Sequence, residues 1–302
     1  MRWNGRFQSA WAAVALLTLC GVAWSSQTPP MPPNELVRRT VQNEIRASES
    51  AGAPHMFISH KESAHGSQTK LYCETKDAMA GMAIANDGKP LTPGQREAEE
   101  ARLEQLSNDP AELRKKRQHE KEDADHVTHI VRAMPDAFIY EYDGTEPGTD
   151  ALGKKGDDLI RLKFRPNPQY DPPTHTEQVL VGMQGTMLVD ANSYRIARID
   201  GTLYKEVSFG WGILGHLDKG GHFLVEQGDV GDGTWDIRKM SLAFTGKMLL
   251  FKRLDIKSTE VLKDFRPVPQ NLTFAQGVEL LKKQENALAE NNRPTPGSVG
   301  QR

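Results

Sequence analysis

The sequence predicts an α+β protein whose core is one large antiparallel sheet with a single apolar face, and three observations predict it. The first is strict alternation: Ile160, Leu162 and Phe164 face one way while Arg161, Lys163 and Arg165 face the other, the period-2 signature of a sheet buried on one side. The second is its recurrence in Val179/Val181/Met183, Met187/Val189, Leu203/Val207/Phe209, Phe223/Val225 and Met240/Leu242/Phe244, with Gly-rich punctuation between the runs. The third is a small set of helix-start signals, at Asn34, Thr92-Pro93, Asp109-Pro110 and Thr273, which supplies helices to lie on such a sheet. The apolar face must be covered by helices, a second sheet or a ligand. The last option makes the chain a candidate carrier.

From the N-terminus, Arg2 and Arg6 precede an apolar run over 10–23 that is short for a bilayer, and Ala23-Trp24-Ser25 offers small residues where a signal peptidase cuts. A signal peptide over 1–25 is expected, and with it a periplasmic protein. Attachment to lipid through Cys20 is the alternative, but Leu19 stands where that processing needs a small residue. No later segment is long and apolar enough to predict a transmembrane span in the mature protein. Of the two cysteines, cleavage leaves Cys73 alone, so no internal disulfide is expected and the thiol reads as a small packed hydrophobe. The net charge of −2 over 302 residues lacks the basic excess that would mark a nucleic-acid partner.

A proline-rich linker over 26–33 leads to Asn34, a suitable N-cap for a helix that carries Leu36, Val37, Val41 and Ile45 on one face. Short strands follow over 56–59, 69–74 and 82–85, with turns at Gly66 and at Asn86-Asp87-Gly88. Thr92-Pro93-Gly94-Gln95 and Asp109-Pro110-Ala111-Glu112 then each place a cap, a proline at the first helical position and Gln or Glu at the third. They open a helical insertion over 93–134. Its stretch 114–126 is almost wholly charged, as expected of a solvated helix knitted by i,i+4 pairs, and Val127, Ile130, Val131 and Met134 return it to the core.

Beyond it Phe138, Tyr140 and Tyr142 alternate, 144–156 is a polar loop, and 166–173 is a proline-rich connection that cannot be a central strand. Thr273 with Gln276 caps a C-terminal helix over 269–290 that carries Phe274, Val278 and Leu281, and a disordered tail is expected over 291–302.

Chemically reactive clusters are scarce. Gly210-Trp211-Gly212-Ile213-Leu214-Gly215 has the spacing of a dinucleotide fingerprint, but His216 to Gly221 cannot continue as the helix that fingerprint needs. It reads instead as a loop that presents Trp211, Ile213 and Leu214 at a cavity mouth, or as a hairpin with apolar plugs. His126 and His129 could reach one metal ion but have no third ligand, and His55, His60, His65, His216 and His222 lack a zinc-site spacing. Asp190, Asp200, Asp229, Asp232 and Asp236 fall where strands turn, which turn chemistry explains. A zincin helix, a nucleophile elbow and a phosphate loop are all absent from the sequence. No catalytic residue, metal or cofactor is expected.

Gly182-Met183-Gln184-Gly185-Thr186-Met187-Leu188-Val189-Asp190, followed by Tyr194-Arg195-Ile196-Ala197-Arg198-Ile199-Asp200-Gly201, resembles the sheet of bacterial outer-membrane lipoprotein-sorting proteins of the LolA/LolB-like class, whose relatives include the sensor RseB. Pro135-Asp136-Ala137-Phe138, Arg165-Pro166-Asn167-Pro168, Phe209-Gly210-Trp211-Gly212 and Gly233-Thr234-Trp235 resemble a group of exported bacterial proteins that share that fold. The resemblance implies a half-barrel domain over 34–268: an antiparallel sheet curved into an unclosed barrel, wrapping helices and leaving an apolar concavity for acyl chains. It brings no catalytic residues.

The expected function is therefore non-enzymatic binding of a lipid or of a lipoprotein's acyl chains, with Phe209, Trp211, Ile213, Leu214 and Trp235 as lining or gate. An envelope protein-interaction or stress-sensing module that meets its partner through the charged helix 110–134 is the alternative. A hydrolase is the third reading, for which the sequence offers no nucleophile–base pair or metal set.

Overall fold

The computed structural model describes residues 31–50, 52–209, 215–231, 233–248 and 252–291. The expected leader, Cys20, residues 210–214, Asp232 and the tail beyond 291 lie outside the described residues. Within them the N-terminal wing comprises α1 (Pro33–Glu49), β1 (His55–Ser63), β2 (Gly66–Cys73), β3 (Ala80–Asn86) and β4 (Lys89–Pro90). Next come α2 (Pro93–Ser107) and α3 (Pro110–Ala137), then β5 (Phe138–Pro147), β6 (Asp158–Pro166), a 3-10 turn (Glu177–Gly182), β7 (Met183–Asp190) and β8 (Ile196–Leu203). The ribbon β9 (Val207–Phe209) and β10 (Gly215–Leu217) precedes β11 (His222–Gly231), β12 (Thr234–Met248), β13 (Lys252–Pro267) and α4 (Phe274–Asn291).

All strand pairs are antiparallel, in the order β4-β3-β2-β1-β13-β12-β11-β8-β7-β6-β5, with the β9–β10 ribbon hung on β12. The two end strands, β4 and β5, do not pair, so the sheet is not closed. The α+β architecture expected from the sequence is therefore present: one large open antiparallel sheet, an N-terminal helix and a longer inserted helix. The order explains the length of that insertion. The chain builds one wing outward from β1 to β4, crosses to the opposite edge, and returns inward from β5 to β8 before β11–β13 join the wings. A 28-residue helix such as α3 is roughly 42 Å long at 1.5 Å per residue, enough to make that crossing. Early in α3, Glu120 Oε2 accepts the Met79 N–H beside β3 at 3.1 Å, and its end runs directly into β5.

The helix starts follow their sequences. Thr92 closes a capping box with Gln95, Asp109 accepts the N–H groups of Ala111 and Glu112, and Thr273 and Gln276 cap each other's backbone. In α1 the start differs from expectation, because Pro33 at the first helical position is held by its ring near a helical φ and the helix begins one residue before Asn34. Its cap is Pro32, whose carbonyl accepts from Glu35 at 2.9 Å and Leu36 at 3.0 Å. The Asn86-Asp87-Gly88 turn is also as read: Asp87 and Gly88 both have positive φ, 49° and 71°, the conformation that a tight hairpin requires.

On the N-terminal wing one sheet face is sealed. Leu71, Cys73, Ala80 and Met82 are buried against Leu103 of α2 and against Phe274, Val278 and Leu281 of α4. The backbone of β3 near this edge is also occupied: Ala83 N–H donates to Glu99 at 2.8 Å, and Arg102 donates to the Gly81 carbonyl at 3.0 Å. Side chains thus satisfy groups that would otherwise template a further strand.

Candidate ligand-binding site

The apolar face of the C-terminal wing is a ladder of residues in direct register. Leu162, Met187, Ile199, Val225 and Met240 stand opposite one another across β6, β7, β8, β11 and β12. Cross-strand neighbours of this kind lie close enough to pack. At β13 the row turns polar, since Met240 faces Glu260, which accepts from Ser59 at 2.5 Å. A second row runs Phe164, Gly185, Gly201, Phe223 and Leu242. A Cβ on Gly201 would come within 2.9 Å of the Met183 sulfur, so a larger residue there would displace that side chain. Met183 lies over this bare backbone and, with Phe164, walls one end of a hollow.

Two helices roof it. α3 turns Val127, Ile130, Val131 and Met134 inward at the i, i+3, i+4, i+7 spacing of one helical face, and α1 contributes Ile45. The space enclosed is about 330 Å³, lined also by Phe138, Leu180, Ile196 and Ile237, and it falls within the size range of ligand pockets, roughly 300–1,000 Å³. A β-bulge between Glu226 and Gln227 brings Ile237 into the lining only three residues before Met240. Leu162 and Met187 are fully buried, whereas Ile199, Phe223, Val225, Ile237 and Met240 are only half-buried. The middle of the apolar face is therefore roofed but not filled. Val127, 61% exposed, sits at the rim.

The roof is fastened by polar contacts. Arg195 donates to both Glu44 carboxylate oxygens, at 2.9 and 3.0 Å, and the Ile196 N–H donates to the same carboxylate at 2.7 Å. Ion pairs Arg38–Asp136 and Arg132–Glu49, the latter at 3.5 Å, join α1 to α3. Tyr140 donates to the Met134 carbonyl at 3.0 Å and fixes the end of α3; burial pushes its phenol well above the ordinary range.

Of the residues named from sequence, the two that are described, Phe209 and Trp235, do not line this cavity. Phe209 ends β9, half-buried, and does not line this cavity. Trp235 packs against Leu152, Leu159, Leu188 and Ala197, donates its indole N–H to the Ile196 carbonyl at 2.9 Å, and borders a separate polar cleft with Asn43, Arg46, Arg195 and Asp229. It does not line the cavity. Trp211, Ile213 and Leu214 lie outside the described residues. The actual lining was present in the sequence as the inward face of each strand and as the apolar end of α3.

Other candidate chemistry resolves simply. Cys73 is fully buried, and burial followed by the Glu74 charge pushes its thiol up to about 11, which disfavours a nucleophilic thiolate. Asp190 accepts from the Asn192 and Ser193 N–H groups, and Asp229 from Gly231, as turn residues do. His126 and His129 are exposed on the charged face of α3. Among the described residues one trio, Glu206, His216 and Asp218 of the β9–β10 ribbon, brings possible metal-ligand atoms within 4.8 Å of one another. Lys247 stands opposite His216 in register, and its positive charge opposes cation capture there.

No protein-family description matches the chain, and no curated protein matches it. Among solved structures, a DUF1329 family protein from Desulfovibrio piger aligns over 78% of this chain and 94% of its own at 9% identity, with a TM-score of 0.26. That likeness is too slight to bear on fold or function.

Proposed function

We propose that the protein is a non-catalytic binder of acyl chains, carried by a lipid or a lipidated protein, and that it works in the periplasm as lipoprotein-sorting carriers do. The observation that supports this reading is the roofed, unfilled apolar cavity between α1, α3 and the sheet. Each methylene moved from water into such a space contributes about 0.8 kcal/mol, so a long chain needs little polar recognition. No reacting group is required. The leader-like N-terminus supports export, and no helix among the described residues is long and apolar enough to cross a membrane.

The charged helix has a simpler account than a docking arm. Lys116–Glu120 and Lys121–Asp125, both at 2.7 Å, and Gln118–Glu122 at 2.8 Å pair its side chains along its own surface.

Gentle purification from an exporting host, followed by organic extraction and mass spectrometry, tests the proposal. Acyl lipid recovered at near-stoichiometric amount supports it. A protein that emerges empty and also fails to take up a fluorescent hydrocarbon rules it out.

A further inference from the structure

The cavity lining holds a polar group that the acyl-chain reading leaves unused. Glu44, Ser48, Thr128 and Gln227 are its polar members. The Glu44 carboxylate is spent on Arg195 and the Ile196 N–H, and the Ser48 hydroxyl donates to the Ile45 carbonyl at 2.8 Å. Of the remaining two, Thr128 stands on α3 in the roof, and the Gln227 side-chain amide, on the sheet, has no hydrogen-bond partner among the described residues. Its backbone is fixed, because the Gly153 N–H donates to the Gln227 carbonyl at 2.8 Å and the residue lies in β11 opposite Ile237. The amide is thus held on a strand, beside Val225 and Ile237, at the edge of an otherwise hydrocarbon wall.

The charge of the lining is equally informative. No Lys, Arg or His is among the described residues that form it, and its one ionisable group is a carboxylate. A ligand carboxylate placed here would be desolvated beside Glu44 with no free cation to meet it, which is costly. An uncharged carbonyl or hydroxyl meets no such penalty and finds a donor and an acceptor in the Gln227 amide.

We infer that Gln227 sets ligand specificity: the cavity selects chains that carry a neutral hydrogen-bonding group, such as an ester, amide or hydroxyl, over free fatty-acid anions. This rests on the acyl-binding reading above and narrows it.

The test uses the full chain and three probes: diphenylhexatriene, a hydrocarbon without polar groups, and monolauroylglycerol and laurate as competitors at about pH 8, where laurate is ionised. Monolauroylglycerol is expected to displace the hydrocarbon at roughly three- to tenfold lower concentration than laurate, the range of one neutral hydrogen bond. Gln227→Leu should erase that preference for the ester, read as the ratio of the two competitors' displacement midpoints in the variant. Laurate competing as well as the ester in the unmodified protein overturns the inference, whatever the variant does. So does a Gln227→Leu protein that keeps the ester preference. In both cases hydrocarbon binding persists and the acyl-binding reading stands. Failure of the unmodified protein to bind diphenylhexatriene removes both.

Discussion

Glu44 and Arg195 form a two-point clasp between α1 and the start of β8, 151 residues apart in the chain, at N–O distances of 2.9 and 3.0 Å. Both side chains are mostly buried, 13% and 19% exposed, and the same carboxylate carries the Ile196 N–H. The clasp therefore sets how far the roof stands from the wall that Ile196 belongs to. Glu44→Ala leaves a buried guanidinium and an N–H without partners, and a loss of about 2–4 kcal/mol is expected in urea denaturation. An unchanged midpoint would show that α1 is held by packing alone.

Filling the hollow should separate binding from folding. Val225 lies between Ile199 and Met240 in the exposed part of the ladder, so Val225→Trp projects an indole into free space rather than into packed core. Hydrocarbon uptake is expected to fall by more than about tenfold, with a stability change within roughly 1 kcal/mol. Uptake equal to that of the unmodified protein would place the ligand elsewhere.

Glu74 and Asp236 are both held above the ordinary carboxylate range by burial, Glu74 also by the Asp236 charge. Each binds its proton more tightly folded than unfolded, so their contribution to stability is present below the ordinary carboxylate pKa of about 4 and is lost as pH rises through their raised folded values. Asp236→Asn keeps an acceptor for the Ile237 N–H and removes the charge. Calorimetry should show the variant gaining Tm over the unmodified protein at about pH 7.5, and gaining less at about pH 4.5. Equal gains at both pH values would contradict an uncompensated buried carboxylate.

Cys73, buried and with its thiol pushed up to about 11, should resist thiol reagents in the folded protein. In a Cys20→Ser chain, labelling at about pH 8 is expected only after denaturant unfolds the sheet. Prompt labelling in buffer would mean that the α4 side of the sheet opens readily.

Much of the architecture was written in local signals. Thr92-Pro93 and Asp109-Pro110 opened the helices they promised, Asp87-Gly88 made the tight turn, and Leu162 and Phe164 are buried as their parity required. The binding wall was only half legible. Alternation says which face Val225 and Leu162 share, but Leu162 is sealed and Val225 is not, and the difference lies in where α1 and α3 stand. Long-range contacts such as Glu44–Arg195 decide that, and no spacing in the sequence announces them. Trp235 illustrates the converse: a large aromatic beside glycines, it packs with Leu159 and Leu188 and donates its indole N–H to the Ile196 carbonyl.

The pairing of β1 with β13, from His55 opposite Pro267 to Ser63 opposite Ser258, carries a consequence for biogenesis. The seam between the two wings cannot be stitched until nearly the whole polypeptide has emerged, and such distant partners meet slowly. Until then the oily rungs of β6, β7 and β8 are bare, so a half-delivered chain is sticky where the finished one is merely hollow. A need for holdase protection before folding is complete, and sensitivity of yield to truncations that remove β13, follow from that order of assembly.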